Sequence, residues 1–248
     1  MTRPQVSIII PAYKSEEHIK QCIDSLRAQT YYDWEALIAL DAPDLDSTVE
    51  ILNGYKDGRI KIHMSWEKGN VAQARNRALR EAQGEFVALL DADDYWEPDK
   101  LEFCVKSIKG KDWIAHCSWL DYNGLRILDE TYPGYDTAIG GTGVIFIRRD
   151  VLSKVREEWG YVFNEKMDRN DDADLVLRLR KYNSMLYPNP LSYQRMRSGS
   201  LTSTTTKWHT RWIVLRMCAR NKAWDLLAFH VQEWVLEPLV KIKKKVLK

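Results

Sequence analysis

A chain of 248 residues that is 45% hydrophobic and 29% charged, with a formal net charge of +2, is too apolar for a disordered polymer and too poor in Gly and Pro for a fibrous one. Its length suits one large domain, or one domain with an appendage, and near-neutrality gives no ground for nucleic-acid binding. The charge is nevertheless uneven. Residues 207–248 hold ten Lys/Arg against three Asp/Glu, a local +7 that leaves residues 1–206 at −5, and they carry four of the ten Trp.

Cys22, Cys104, Cys117 and Cys218 stand far apart, with no C-x-x-C and no Cys/His ligand spacing. They read as buried thiols of a reducing compartment. The five His also lack ligand spacing and read as structural or surface residues. The apolar run Val6 to Ile10 is too short for a signal h-region, and no run approaches the roughly 20 residues that span a bilayer. The expected location is the cytoplasm, with the tail as a means of lying on the inner face of the cell membrane.

In chain order, Val6 to Ile10 is a β-branched run suited to a strand buried on both faces, ended by Pro11. A helix over 15–29 is expected, with apolar or small residues at Ile19, Cys22, Ile23 and Leu26 and Ser15 as its N-cap. A second buried run, Ala36 to Leu40, ends at Asp41. Residues 46–56 read as a helix, Arg59 to Met64 as a third strand, and 70–83 as a helix stopped by Gly84 in the position after the last turn. Phe86 to Leu90 is the fourth buried run and ends at Asp91. Strands at 113–120, 125–128 and 143–147 and helices at 150–157 and 171–182 follow, then a turn or extended stretch from Tyr187 and a Gly/Ser/Thr segment at 198–206.

Four alternations of strand and helix with short connections imply a mostly parallel α/β sheet flanked by helices. Ligands of such sheets sit at the carboxyl ends of the strands. Here those ends deliver Pro11, Tyr13, Asp41, Asp91 and Asp93 to one edge. In Leu90-Asp91-Ala92-Asp93-Asp94, carboxylates at i and i+2 just after a buried strand either gather hard oxygens suited to Mg²⁺ or Mn²⁺ or form an Asp-rich turn capping the next helix, with Pro98 near its start. The same turn has an EF-hand-like spacing, but Trp96 occupies the position that needs Gly, which excludes that loop. Gly69-Asn-Val-Ala-Gln-Ala-Arg75-Asn76-Arg77 places a guanidinium in the early turns of a helix, where its planar fork could hold a phosphate or a base carbonyl or simply lie on a solvated face.

Val6-Ser-Ile-Ile-Ile-Pro11-Ala-Tyr13, Gln29-Thr30 with Trp34-Glu35, Ala74-Arg75-Asn76 and Leu90-Asp91-Ala92-Asp93-Asp94 occur in the order and spacing of family 2 glycosyltransferases. The chain resembles that family closely over residues 4–105 and more loosely to about 202. The resemblance implies the GT-A fold, Rossmann-like, over 1–206, with a nucleotide-sugar-binding half (1–105) and an acceptor-binding half (106–206). Residues 207–248 form a helical appendage in this reading.

By the resemblance, Pro11 and Tyr13 pack against the nucleotide base, Asp41 is the base-reading carboxylate and Arg75 contacts the nucleotide. Asp91, Ala92 and Asp93 form the D-x-D motif, with Asp91 on the nucleotide sugar and with the metal, Mn²⁺ or Mg²⁺, on Asp93 and Asp91. Asp171-Asp172 matches an acidic pair, normally Glu-Asp, whose second member is the catalytic base, so the base is Asp172. Arg197 stands where His is usual and could pair with the diphosphate. The expected activity is inverting, metal-dependent transfer of a sugar from a nucleotide-diphosphate donor to a hydroxyl acceptor, in glycan or polysaccharide biosynthesis. A UDP sugar is the favoured donor, and a glycan or lipid-linked molecule the acceptor. Leu40 and Ala42-Pro43 depart from the usual second-strand motif, and Lys14 stands where Asn is usual, so the base pocket is where differences are expected. Gly140-Gly141-Thr142-Gly143 reads as a close-packed loop beside the acceptor.

Two other readings are compatible with these residues: a nucleotidyltransferase, which would need a basic cluster in the first loop, and a non-catalytic nucleotide-sugar or glycan-binding protein. In the tail, Trp208, Trp212, Leu215 and Ala219 recur at helical spacing, as do Trp224, Leu227, Val231, Trp234 and Val235. They suit helices packing on protein, including a second copy of the chain, or an interfacial membrane anchor with Lys241, Lys243, Lys244, Lys245 and Lys248 on anionic lipid.

Overall fold

The computed structural model describes residues 3–129, 142–167, 169–196 and 219–221. The chain divides into two compact units, Met1–Met196 and Arg197–Lys248. The tail expected to be helical (apart from residues 219–221), the 198–206 segment, Arg197, Gly140 and Gly141 lie outside the described residues.

The first unit alternates as the hydrophobic runs require: β1 (Val6–Ala12), α1 (Ile19–Arg27), β2 (Trp34–Asp41), α2 (Thr48–Asn53), β3 (Ile60–Ser65), α3 (Val71–Glu81) and β4 (Phe86–Leu89). β5 (Tyr95–Trp96), α4 (Lys100–Ser107), β6 (Trp113–Tyr122), β7 (Leu125–Asp129), β8 (Ile145–Arg148), α5 (Arg149–Trp159), α6 (Asp171–Leu179) and β9 (Ser184–Arg195) follow. Among the described residues these strands form one sheet of order β3-β2-β1-β4-β8-β6-β9-β5, with β7 paired to β6. β1 to β4 pair in parallel. The second half is mixed: β8 is antiparallel to β4 and β6, and β9 is parallel to β6 but antiparallel to β5.

Period-two alternation divides the core between the two faces of the sheet. Ile8, Ile10, Ala36 and Ile38 pack with Ile19, Cys22, Ile23 and Leu26 of α1 and with α4 on one face. Ile9, Leu37, Val87 and Leu89 pack with Ala74 and Ala78 of α3 and with α5 and α6 on the other. Parallel strands covered on both sides end together, so β1, β2 and β4 bring Tyr13, Asp41 and Asp91 to one edge.

Several local expectations change. The first helix starts at Ile19 rather than Ser15, because the Ser15 hydroxyl accepts the Tyr13 amide and its carbonyl turns the chain by accepting His18 and Ile19 amides. The second helix is short, and Asp46, one residue before its N-cap Ser47, turns the chain into it by accepting the Thr48 amide at 3.1 Å. Gly84 is not a left-handed helix stop, since the helix ends at Glu81 with Ala82 extended. Glycine is required there by close approach: a Cβ would lie 2.6 Å from the Ser7 nitrogen, and the Gly84 amide donates to Ser7 Oγ at 2.8 Å. Of the turn or extended stretch expected from Tyr187, the extended reading holds, inside a twelve-residue strand, β9.

Candidate active site

α3 occupies a commanding place at the strand edge because its start is sharply fixed. Asn70 Oδ1 accepts the Gln73 amide and Gln73 Oε1 accepts the Asn70 amide, both at 2.9 Å, a reciprocal cap. One turn later, Arg75 points into the site with 3% of its surface exposed. Its Nη2 donates to Asp91 Oδ1 at 2.7 Å and its Nη1 to Asp171 Oδ2 at 2.6 Å. Thr142 Oγ1 donates to the other Asp91 oxygen at 2.8 Å. Residues from the end of β4, from α3, from the start of α6 and from the loop before β8 therefore meet at one guanidinium.

The turn after β4 is held from two sides. Ala92 is buried, and the Asp94 amide donates to the Asp91 carbonyl at 3.0 Å. From β9, the Arg195 amide donates to Asp94 Oδ1 at 2.9 Å and Arg195 Nε to the Asp93 carbonyl at 3.1 Å. The turn is a concentrated negative field. Burial first, then Asp93 and Asp91, push the Asp94 carboxyl well above its usual range, and burial with the same three aspartates raises the Cys22 thiol beneath. The donor set is that of a hard divalent cation: Asp93 and Asp91 supply carboxylate oxygen only, the Asp91 oxygens also accepting from Arg75 and Thr142, at a place where the gathered aspartates favour positive charge. Among the described residues no group of three or more His, Cys, Asp or Glu could hold a metal. A cation here would complete its shell with water and substrate phosphate, as Mg²⁺ commonly does.

At the end of β2, Asp41 is buried and both of its oxygens are engaged. Oδ2 accepts the Gly69 amide at 2.9 Å and Oδ1 pairs with Arg77. Tyr13, at the end of β1, has the Lys68 ammonium 4.1 Å from its ring centroid, and Lys14 lies 5.8 Å away. Pro11 is half-buried on the same strand end.

Asp171, Asp172 and Asp174 all fall in the first turn of α6, where the helix N-terminus favours carboxylates. Asp172 is half-buried, and its Oδ1 accepts the Ala173 amide at 2.8 Å. Burial, and next the neighbouring Asp171 charge, push its carboxyl up to about 6, with Arg75 opposing the rise. A carboxylate so tuned is ionised at neutral pH and has increased affinity for a proton, the property of a general base.

Of the residues singled out in the sequence, Arg75, Asp91 and the Asp171–Asp172 pair come together directly, with Ala92 and Asp93 in the same turn. Pro11, Tyr13 and Asp41 share the strand edge, with Asp41 tied to α3 through Gly69 and Arg77. Sequence reading missed three contributors: Arg77 as the partner of Asp41, Thr142 as a donor to Asp91, and Arg195 as the clamp on the acidic turn. Arg77 and Thr142 lay inside motifs already quoted, but nothing local showed where either side chain would reach.

Residues 7–132, just over half of the chain, match the family described as Glycosyl transferase family 2. The chain is 31% identical over 208 residues to a chondroitin synthase of Pasteurella multocida, covering 81% of this chain but 21% of that protein. It thus spans about a fifth of that relative's length. Among solved structures, S. aureus TarS 1–349 in complex with UDP-GlcNAc matches at TM-score 0.72 and 18% identity, over 93% of this chain and 73% of that one. The mannosyltransferase PcManGT of Pyrobaculum calidifontis, in complex with GDP-Man and Mn²⁺, matches at TM-score 0.65 and 18% identity, over 91% of this chain and 65% of that one. These likenesses give the fold, GT-A, and with the motifs now placed on it the chain belongs to glycosyl transferase family 2.

Proposed function

We infer that this chain transfers a sugar from a nucleoside-diphosphate donor to a hydroxyl acceptor with inversion at the anomeric carbon. One observation carries the reading. The acidic turn at Asp91 and Asp93 and the up-shifted Asp172 carboxyl are joined through Arg75 and Asp171, so one arginine-bridged acidic cluster holds an oxygen donor set and a candidate base.

Asp172 accepts the proton of the acceptor hydroxyl, whose own pKa lies far above neutrality, as its oxygen attacks the anomeric carbon. Asp93, with Asp91 beside it, would hold Mn²⁺ or Mg²⁺, which supplies neutralisation of the charge developing on the leaving diphosphate. A base on one side and the diphosphate on the other describe a single in-line displacement, hence inversion. Pro11 and Tyr13 would pack on the base and Asp41 would define its edge, directly or through Arg77.

A UDP sugar is the first donor to try, supported by the UDP-GlcNAc named for TarS, with GDP sugars second, by the GDP-Man named for PcManGT. The chondroitin synthase likeness supports a place in polysaccharide assembly. The basic, Trp-rich tail suits a lipid-linked acceptor at the inner membrane face, where the chain would act from the cytoplasm.

The test is Asp172→Asn. Donor binding should persist while transfer drops by about 10²–10⁴-fold, the usual contribution of a general base. Unchanged turnover refutes the assignment. Transfer should also cease in EDTA and return with Mn²⁺, and the product, read by NMR, should carry the anomeric configuration opposite to the donor's.

A further inference from the structure

The guanidinium of Arg75 has a neighbourhood that leaves it little freedom to serve a ligand. Its side chain is 4% exposed, and its two terminal nitrogens are committed to two different carboxylates, Asp91 and Asp171, from elements 96 residues apart in the case of Asp171. Nη2 also lies 3.4 Å from Thr142 Oγ1, which itself bonds Asp91. The Phe163 ring covers the guanidinium at 5.7 Å. Turning Arg75 toward a ligand would leave Asp171, 5% exposed, as a buried charge without its compensating cation.

The next residue fastens the same joint a second way. Asn76 Nδ2 donates to the Phe163 carbonyl and to Glu165 Oε1, both at 2.8 Å, and its Oδ1 accepts the Phe163 amide at 3.1 Å. Asn70 Nδ2 adds a bond to the Glu165 carbonyl at 2.8 Å. Through these contacts α3, packed on the parallel half of the sheet, grips the loop that leads into α6. Only a planar fork can serve two carboxylates at once with separate nitrogens; an ammonium is a point charge.

We propose that Arg75 is a positioning residue, not a nucleotide contact: it locks the acidic strand end at Asp91 to the start of α6 at Asp171, while Asn76 locks the loop before that helix. Resting on the reading that Asp172 is the base, this makes Arg75 and Asn76 the joint that sets the base against the donor.

Three single variants of the full chain, Arg75→Lys, Asp171→Asn and Asn76→Ala, test it, with the double variant of the first two. UDP and GDP affinity is measured by calorimetry with Mn²⁺, kcat and KM on the transferred donor, and amide hydrogen exchange over residues 163–172. Nucleotide affinity should stay within about threefold of wild type, while kcat falls by about 10²-fold, as expected for misplacement rather than lost binding. The Arg75→Lys/Asp171→Asn pair should lose no more than the worse single variant, because both break one link. Exchange over 163–172 should quicken in all three.

Nucleotide affinity falling in Arg75→Lys as much as kcat/KM, or losses that add in the double variant, would overturn the proposal. Asp171→Asn leaves the Arg75 side chain in place, so it decides the matter if Arg75→Lys does not fold. If the wild type binds neither nucleotide and transfers no sugar, the functional reading fails instead. The exchange measurement still judges the joint: unchanged protection over 163–172 in the variants refutes it.

Discussion

Asp172 sits in a competition between burial and charge that can be read out in solution. Withdrawal from water and the adjacent Asp171 both disfavour its ionised form, and Arg75 only partly offsets them, leaving the carboxyl at about 6. A base works ionised. If Asp172 fills that role, kcat/KM should be flat above pH 6 and fall below it, approaching about tenfold per pH unit. Asp171→Asn removes a like charge and should move this acid limb to lower pH. An acid limb near the ordinary aspartate value in the wild type, near 4, would mean that another group titrates.

At the scale of elements, α6 is held by more than its apolar face. Asp174 and Arg178, one turn apart and both fully buried, pair at 2.9 Å, and Arg178 Nη2 also donates to the Val162 carbonyl at 2.6 Å. Removing one partner strands a buried charge, so Arg178→Met should cost about 3–5 kcal/mol in urea unfolding; a loss under about 1 kcal/mol would show the pair to be dispensable. α4 carries a buried cation of a different kind. Lys100 is wholly enclosed, with its ammonium on the Gly143 carbonyl and 3.8 Å from the Trp96 ring centroid, and burial lowers its pKa to about 7. Because the unfolded chain holds that proton to about 10.4, unfolding takes up a proton between those values. Stability should therefore rise from pH 7 to 10 relative to a Lys100→Met variant. Equal slopes for the two proteins in thermal melts would refute it.

Elements also differed in how far the amino-acid pattern betrayed them. Val6 to Ile10, Ala36 to Leu40 and Phe86 to Leu90 are legible because a strand buried on both faces is a local apolar run, whatever its neighbours. The acidic turn after the last of them is legible for the same reason. β9 is not: Pro188 and Pro190 argue against a strand, yet the register jumps from Tyr187 opposite His116 to Pro190 opposite Cys117, and the irregularity accommodates residues that lack an amide proton. The Arg75–Asp171 link is beyond any local pattern, since it depends on how two halves of the sheet bring α3 and α6 together. Residue types at the site could be named from motifs; which carboxylate each arginine serves required the fold.

For the whole molecule, the near-neutral total conceals a division of charge. The acidic residues concentrate in the unit whose site gathers Asp41, Asp91, Asp93, Asp171 and Asp172, while residues 207–248 carry +7 and four Trp. No helix among the described residues is long and apolar enough to cross a membrane. Attachment through the tail would rest on Trp at headgroup depth and on lysines drawn to anionic lipid, each Lys contributing about 1 kcal/mol near such a surface. Binding of that kind is screened by salt. Full-length protein should float with vesicles containing phosphatidylglycerol at low salt and much less at 0.5 M salt, near a Debye length of about 4 Å. Charge reversal at Lys241, Lys243, Lys244 and Lys245 should abolish flotation while leaving transfer to a soluble acceptor unchanged, because those residues stand outside the catalytic unit. Flotation that survives the reversal would move the lipid contact elsewhere, and absence of flotation in the wild type would leave the tail to a protein partner or a second copy of the chain.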